Sequence, residues 1–449
     1  MQAKNNYILQ KLSLDEDKKK IWSKNRFYSY LDLIHEIEKF RKLIKKKKIK
    51  KGSLISFASD FNFKSISFFL AAIIEDLIAI PLPEKKKDLI EFLPCNYFVN
   101  TSSYKISILK KRKKIKLNKI LVNFRKKKRS GLIIFSSGST GFPKIILHDF
   151  NLILNKFKKE RPGYKSLLML SFDHLGGINT LLASLLNKNS MAICLSQRTP
   201  EKVCPIINKT KAELLPTTPT FLNMLLISKV YKKKDISSLK IISFGAEKMP
   251  ESLLGKLIKE FPKIKLKQTY GLSEFGVMRS KNKSKKSLQI KVGGEDFKTK
   301  IIDNTLFVKS KSNMIGYLNL QKPFDKYGWI NTGDKVKKHK NGFITILGRE
   351  NEIINIGGEK VYPQEIESLL LKINIVADAY VYKNNHSLLG EHIIAELSLS
   401  REKEDYTKDI DKIRNFCKKM LPKYKVPSKF LIKKKLLMNH RLKKVRKII

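Results

Sequence analysis

Cysteine is scarce and scattered. Cys95, Cys194, Cys204 and Cys417 are the four in 449 residues, and none stands at CxxC or metal-ligand spacing. That argues against a disulfide framework and structural zinc, and it fits a reducing cytoplasm. Long apolar runs are also missing. The longest, Ser65 to Ile74, is cut by Glu75 and Asp76 and is too short to span a bilayer. The opening MQAKNNYILQKLSLDEDKKK holds no apolar stretch of the signal-peptide type, so the expectation is a cytoplasmic protein with no transmembrane segment. Acidic residues are few, 40 against 93 Lys and Arg, leaving a formal charge of +53. So basic a balance raises nucleic acid or an anionic membrane surface as partners. Yet lysine is spread along the whole chain, and the small clusters at Lys45–Lys48, Lys110–Lys114 and Lys126–Arg129 lack interleaved aromatics, glycine-rich loops or zinc spacing. Lysines on solvated faces account for the charge equally well. The reading therefore expects no specific nucleic acid, with a basic nucleic-acid-binding protein kept as the alternative from a different class.

Hydrophobic residues make up 42% of the chain, enough to bury a core, and the length suits two or three domains. No repeat or low-complexity block interrupts it. Apolar spacing from Tyr28 to Lys48 is helical. A strand follows from Gly52, then an apolar helix (Ser65–Glu75) and another strand (Leu77–Leu82) ended by Pro83. Strand and helix alternate again through Leu132–Phe135, Ser166–Leu170, Met191–Leu195 and Lys240–Ser243, which predicts α/β layers with a largely parallel sheet. After about Asp303 the pattern turns to short strands and turns, and Pro363 to Val381 and onward reads as a small separate αβ unit. The predicted fold class is α/β: a large N-terminal domain of layered sheets and helices, residues 1–348, and a small α+β C-terminal lid, residues 349–449.

The chemistry begins directly after a predicted strand. Ser136, Ser137, Gly138, Ser139, Thr140, Gly141 and Lys144 (FSSGSTGFPK from Phe135) supply hydroxyls, two glycines for close backbone approach, and a cation to neutralise phosphate oxygens. Pro143 precedes the lysine, so this is not the GxxxxGK[ST] pattern of P-loop enzymes. The stretch resembles the phosphate-binding loop of the AMP-forming superfamily that contains acyl-CoA synthetases, peptide-synthetase adenylation domains and luciferases. Further motifs follow in the family's order. Gly245, Ala246 and Glu247 (GAEKMP) match its adenine-facing loop. QTYGLSE matches its YGxTE segment, with Tyr270 and Gly271 beside the adenine, Ser273 where threonine is usual, and Glu274 as a hard-oxygen ligand for Mg²⁺. GWINTGD resembles W-x-x-T-G-D, which implies that Asp334 accepts the ribose hydroxyls. GRENEIINIGGEKVYPQEIE matches the hinge and lid entry: Arg349 on ribose or phosphate, Asn351 at the pivot usually held by Asp or Lys, and Gly357 and Gly358 in a strand end that approaches the active site.

At the C-terminus PKYKVP resembles P-x-Y-x-V-P. By spacing, Lys443 then takes the place of the adenylation lysine and Arg446 that of the trailing arginine, although Leu437, Asn439 and Leu442 replace the usual Pro, Thr and Gly, and Lys444 and Lys447 stand close by. The resemblance covers nearly the whole chain, with a shortened segment before Ser136, and is closest in style to acyl- and aryl-acid ligases. It implies ATP and Mg²⁺ as cofactors. A carboxylic acid attacks the α-phosphate of ATP to give acyl-AMP and pyrophosphate, with Lys144, Ser273, Glu274 and Lys443 in catalytic roles. The lid then rotates about Asn351 and a pantetheine thiol, on CoA or an acyl carrier protein, displaces AMP. The acid itself stays open. Aligned through His174, Gly176 and Gly177, the SFDHLGG turn resembles fatty-acyl and aryl-acid ligases; aligned through Asp173, it resembles amino-acid adenylating enzymes, where an Asp pairs with the α-ammonium.

Overall fold

The computed structural model describes residues 6–13, 18–109, 118–136, 143–321, 323–356, 358–386 and 390–434. Two seven-stranded sheets form the large domain. In one, Leu54–Ala58 pairs in parallel with Ile78–Leu82 and Tyr97–Asn100, and Gly131–Ser136 continues the parallel run before pairing antiparallel with Lys144–Asp149. Its central strands are apolar without alternation because helices cover both faces, as parallel sheets require. The other runs in parallel through Lys265–Gln268, Ile241–Phe244, Leu214–Thr217, Lys165–Leu167 and Met191–Ile193 to Lys19–Ser23, with Arg26–Ser29 as an antiparallel edge.

The helices Phe63–Ile74 and Leu175–Leu186 fill the layer between these sheets, for a single buried cluster draws on both helices and on strands of both sheets. Phe63–Ile74 is apolar all round, as a helix buried on every side must be. Its entry is fixed by a capping box in which Asn62 and Ser65 exchange bonds of 3.0 Å. The expected helix and strand at 65–82 thus lie within two residues of Phe63–Ile74 and Ile78–Leu82.

Two features go beyond the sequence reading. The parallel strands divide into two sheets instead of one, and the segment after Arg279 builds a third, antiparallel sheet of six strands from Arg279–Asn282 to Ile344–Arg349. Arg349 closes the last strand of that sheet, and a separate core cluster begins at Ile354. There Pro363–Leu370 and Thr407–Met420 pack on the sheet Val376–His386, Gly390–Leu399 and Lys429–Ile432. Among the described residues no helix is long and apolar enough to cross a membrane.

Candidate active site

A cavity opens at the carboxyl ends of Leu214–Thr217, Ile241–Phe244 and Lys265–Gln268. Open parallel sheets present ligand crevices at these ends, because the loops there are free to vary while the strands stay fixed. Its lining unites segments far apart in sequence: Leu170, His174, Leu175 and Gly176; Gly245 and Ala246; and Tyr270, Gly271, Leu272, Ser273, Gly276 and Val277.

Local geometry explains several of these residue types. A Cβ on Gly245 would lie 2.5 Å from the Thr269 hydroxyl and 2.8 Å from its carbonyl oxygen, so only glycine lets the loop pass. Ala246 follows at φ +67°, a left-handed conformation costly for a residue with a Cβ and most often kept at binding sites. Glu247 faces elsewhere: its Oε2 accepts from the Thr220 hydroxyl at 2.7 Å and the Thr220 amide at 3.3 Å, a carboxylate on the first turn of helix Pro219–Ser228. His174 caps helix Leu175–Leu186 by accepting from the Gly176 amide through Nδ1 at 3.0 Å. That leaves the ring proton on Nε2 when the imidazole is neutral.

Asp173 and Gly177 are not in the lining. Asp173 is buried, and the Arg198 guanidinium senses its charge. A Cβ on Gly177 would sit 2.1 Å from the Ser171 carbonyl oxygen, so this glycine serves the tight turn and not the pocket surface.

From Tyr270 a chain of charge runs outward. The Tyr270 hydroxyl donates to Asp334 Oδ2 at 2.6 Å, and Arg349 Nε lies 3.1 Å from Asp334 Oδ1. Burial lifts the Asp334 carboxyl above its ordinary value against the pull of Arg349 and Tyr270. Burial also works against the Arg349 charge, but Asp334, Tyr270 and Glu274 together outweigh it and raise that guanidinium. Each Asp334 oxygen still has lone-pair capacity for a further donor such as a ribose hydroxyl. Glu274 accepts from the Tyr317 hydroxyl at 2.6 Å and stands 4.0 Å from Lys144 Nζ, while Lys144 lies 3.5 Å from that same hydroxyl. Ser136 and Lys144 pair directly across adjacent strands. Ser137, Gly138, Ser139, Thr140 and Gly141 lie outside the described residues, as do Gly357 and Lys443. Asn351 is exposed in the short turn Glu350–Glu352.

Three supporting residues escaped the sequence reading. Tyr317 lies on a two-residue strand paired with Lys144–Asp149, too short to register as a pattern. Asn319 accepts from the Ile145 amide at 2.9 Å and donates to the Pro143 carbonyl at 2.9 Å, bracing the chain where the hydroxyl-rich loop ends. His148 is fully buried and lies 2.8 Å from the Ser273 carbonyl oxygen through Nε2; burial pushes its pKa down to about 4 despite that bond. Nothing in the strand KIILHD, buried throughout after Lys144, sets it apart in the sequence.

Comparison with known proteins gives a consistent picture. Residues 95–317 match the profile of a family described as AMP-binding enzyme, and residues 365–443 match the AMP-binding enzyme C-terminal domain. A 4-coumarate-CoA ligase of Narcissus pseudonarcissus is 25% identical over 324 residues, 65% of this chain and 59% of that protein. A mitochondrial medium-chain acyl-CoA ligase of Rattus norvegicus is 25% identical over 327 residues, 66% of this chain and 53% of that one. The chain thus spans under two thirds of the length of these relatives. Among solved structures, an anthranilate CoA ligase in complex with anthranoyl-AMP superposes with a TM-score of 0.80 at 16% identity, covering 98% of this chain and 95% of its own. ATP-bound MatB of Rhodopseudomonas palustris gives 0.79 at 18% identity, covering 97% and 96%.

Proposed function

The chain belongs to the AMP-forming, acyl-adenylating superfamily, and from that membership we propose that it is an acid–thiol ligase. A carboxylate oxygen attacks the α-phosphorus of ATP and pyrophosphate leaves. The thiol of CoA or of a carrier protein then displaces AMP from the acyl-adenylate, giving a thioester. The observation that carries this reading is the convergence in one cavity of His174 to Gly176, Gly245 with Ala246, and Thr269 to Ser273, with Glu274 next in the chain and paired with Lys144.

Catalysis of the first step is positioning and charge neutralisation. In this reading Tyr270 offers its ring to adenine, Asp334 and Arg349 grip the ribose, and Lys144 with Ser136 and the following hydroxyls holds the outer phosphates. Lys443 steadies the carboxylate and α-phosphate, and the lid, divided from the large domain at residues 348/349, turns about Asn351 between the two steps. Among the described residues no three His, Cys, Asp or Glu side chains converge as a metal cage. A lone carboxylate at Glu274 suits magnesium that arrives on the nucleotide, since that ion takes one or two protein carboxylates with substrate phosphates. The ion would supply charge neutralisation at the phosphates. The four cysteines are free thiols, in keeping with a reducing cytoplasm. Burial of Asp173 outside the cavity lining, near Arg198, favours an acid without an α-ammonium over the amino-acid alternative.

Acid-dependent exchange of labelled pyrophosphate into ATP tests the proposal across a panel of acids with magnesium present. Lys443→Ala is expected to abolish that exchange while sparing thioester formation from preformed acyl-adenylate. Absence of exchange with every acid would overturn the reading.

A further inference from the structure

The acyl side of the cavity has two walls, the start of helix Leu175–Leu186 and the hairpin Gly271–Val277. Lys156, one residue beyond helix Phe150–Asn155, bridges them. Its Nζ lies 2.7 Å from Asn179 Oδ1, one helical turn beyond Gly176, and 2.6 Å from the carbonyl oxygen of Val277, itself part of the lining. Both acceptors are neutral and occupy two of the three N–H donors, so the ammonium stands one hydrogen bond behind the cavity surface without a carboxylate of its own.

Its surroundings deepen the deficit. Arg161, Arg279 and Lys267 repel its charge and only Asp296 attracts it; burial is the largest influence, and the Lys156 pKa falls to about 7. Lys267 and Arg161 are depressed by burial and by their cationic neighbours in turn. Arg161 Nε is buried without a hydrogen-bond partner among the described residues. The nearby acids are committed elsewhere: Glu295 pairs with Lys159 at 2.8 Å, and Asp296 lies 3.8 Å from Lys311. Lys156, Arg161 and Lys267 are partly buried and Arg279 is exposed; a charge drawn partly out of water is costly without an opposite charge, and three further cations around it add to that cost. An anion delivered through the cavity would supply what the fold leaves out.

We infer that the acid this enzyme activates carries a second anionic group, such as a distal carboxylate, at the end away from the reacting carboxyl, and that Lys156 between Asn179 and Val277 recognises it. The inference rests on the ligase reading and deepens it by naming a substrate class. Lys156 is a specificity-determining residue, and the cations behind it enlarge the attraction.

The test is pyrophosphate exchange with matched acids of equal chain length, one ending in a methyl and the other in a carboxylate, in aliphatic and aryl series. The wild-type protein is expected to favour the doubly anionic acid at least about tenfold in kcat/KM in one series. Lys156→Met is expected to bring that ratio close to one or invert it, Lys156→Arg to keep most of it, and Arg279→Gln to reduce it less, each with a melting temperature showing a folded protein. A strut that merely joins the two walls would lower both members of a pair together and leave the ratio standing; that result, or a wild-type preference for the uncharged acid, overturns the inference while leaving the ligase reading intact. Exchange with no acid at all sinks both.

Discussion

The two halves of the cavity treat charge in opposite ways. On the side we propose for the nucleotide, the charges next to the lining have partners: Tyr270 and Arg349 close on Asp334, and Tyr317 and Lys144 close on Glu274. On the side proposed for the acid the lining includes Leu170, Leu175, Gly176 and Val277 beside His174, and the cation behind it has only neutral acceptors among the described residues. A compensated site is built in advance for a ligand that does not vary, with its dipoles already aimed. An uncompensated cation behind an apolar wall is completed by the ligand and so selects among ligands. In the proposed reading, the fixed part of the chemistry belongs to one side and discrimination between acids to the other.

The largest effect is expected from breaking the compensated side. Asp334→Ala removes the common partner of Tyr270 and Arg349: Arg349, 45% exposed, turns to water, while the buried Tyr270 hydroxyl loses its acceptor, at a cost of about 1–3 kcal/mol. Calorimetric melting should show a modest fall in Tm, and pyrophosphate exchange should need far more ATP. If exchange keeps its ATP dependence, Asp334 is a structural bridge and does not touch the ribose.

His148 sets a pH limit on the same side, for it anchors the Ser273 backbone that both halves share. Its pKa is about 4 in the fold and about 6.5 in an unfolded chain, so the unfolded state binds more protons between those values. Stability therefore declines as pH drops from about 6.5 toward 4, by up to ~3 kcal/mol from this residue. His148→Asn keeps a donor for the Ser273 carbonyl and removes the titration; denaturant curves across that range should flatten in the variant. An unchanged pH slope would assign the acid sensitivity to other groups.

Tyr317→Phe keeps the ring and deletes the hydroxyl between Glu274 and Lys144. A bond to a charged acceptor contributes about 1.5–3 kcal/mol, so a drop in kcat of roughly tenfold or more is expected, with little change in which acids are used. A shift in acid preference would mean that the two sides are not separable as described.

What the sequence disclosed follows the same division. Tyr270, Asp334 and Arg349 stand in runs whose order and spacing are distinctive, and the alternation of strands and helices announced an α/β fold. Tyr317 was hidden because two residues of strand carry no period, and Asn319 because its work is done on the backbone of Ile145 and Pro143. Lys156 was hidden for another reason. In a chain this rich in lysine one more carries no signal, and a long side chain can bury its head group wherever the tertiary path takes it. The separation into two parallel sheets was likewise invisible, since identical apolar runs serve either sheet and only long-range pairing decides between them.

The smallest expected effect lies where the nucleotide side meets the lid. Lys248, in the loop after Gly245, donates to the Leu347 carbonyl at 3.1 Å, just ahead of Gly348 and Arg349. Burial pushes its ammonium down, while Glu365, Glu367 and Glu251 hold it up. Two of those acids stand on helix Pro363–Leu370 of the small domain, so this one cation touches the strand before the proposed pivot and senses the charge of the part proposed to turn. Lys248→Met removes both interactions. A bond from a charged donor to a neutral carbonyl lies near the low end of about 1.5–3 kcal/mol, which corresponds to a change of about tenfold. The change should fall unequally on the two half-reactions, because only the contact's presence in one lid position gives it leverage. Thioester formation from preformed acyl-adenylate, set against pyrophosphate exchange in the same preparation, measures that asymmetry. Parallel loss in both would make Lys248 a fixed element of the nucleotide loop, with no part in the motion between them.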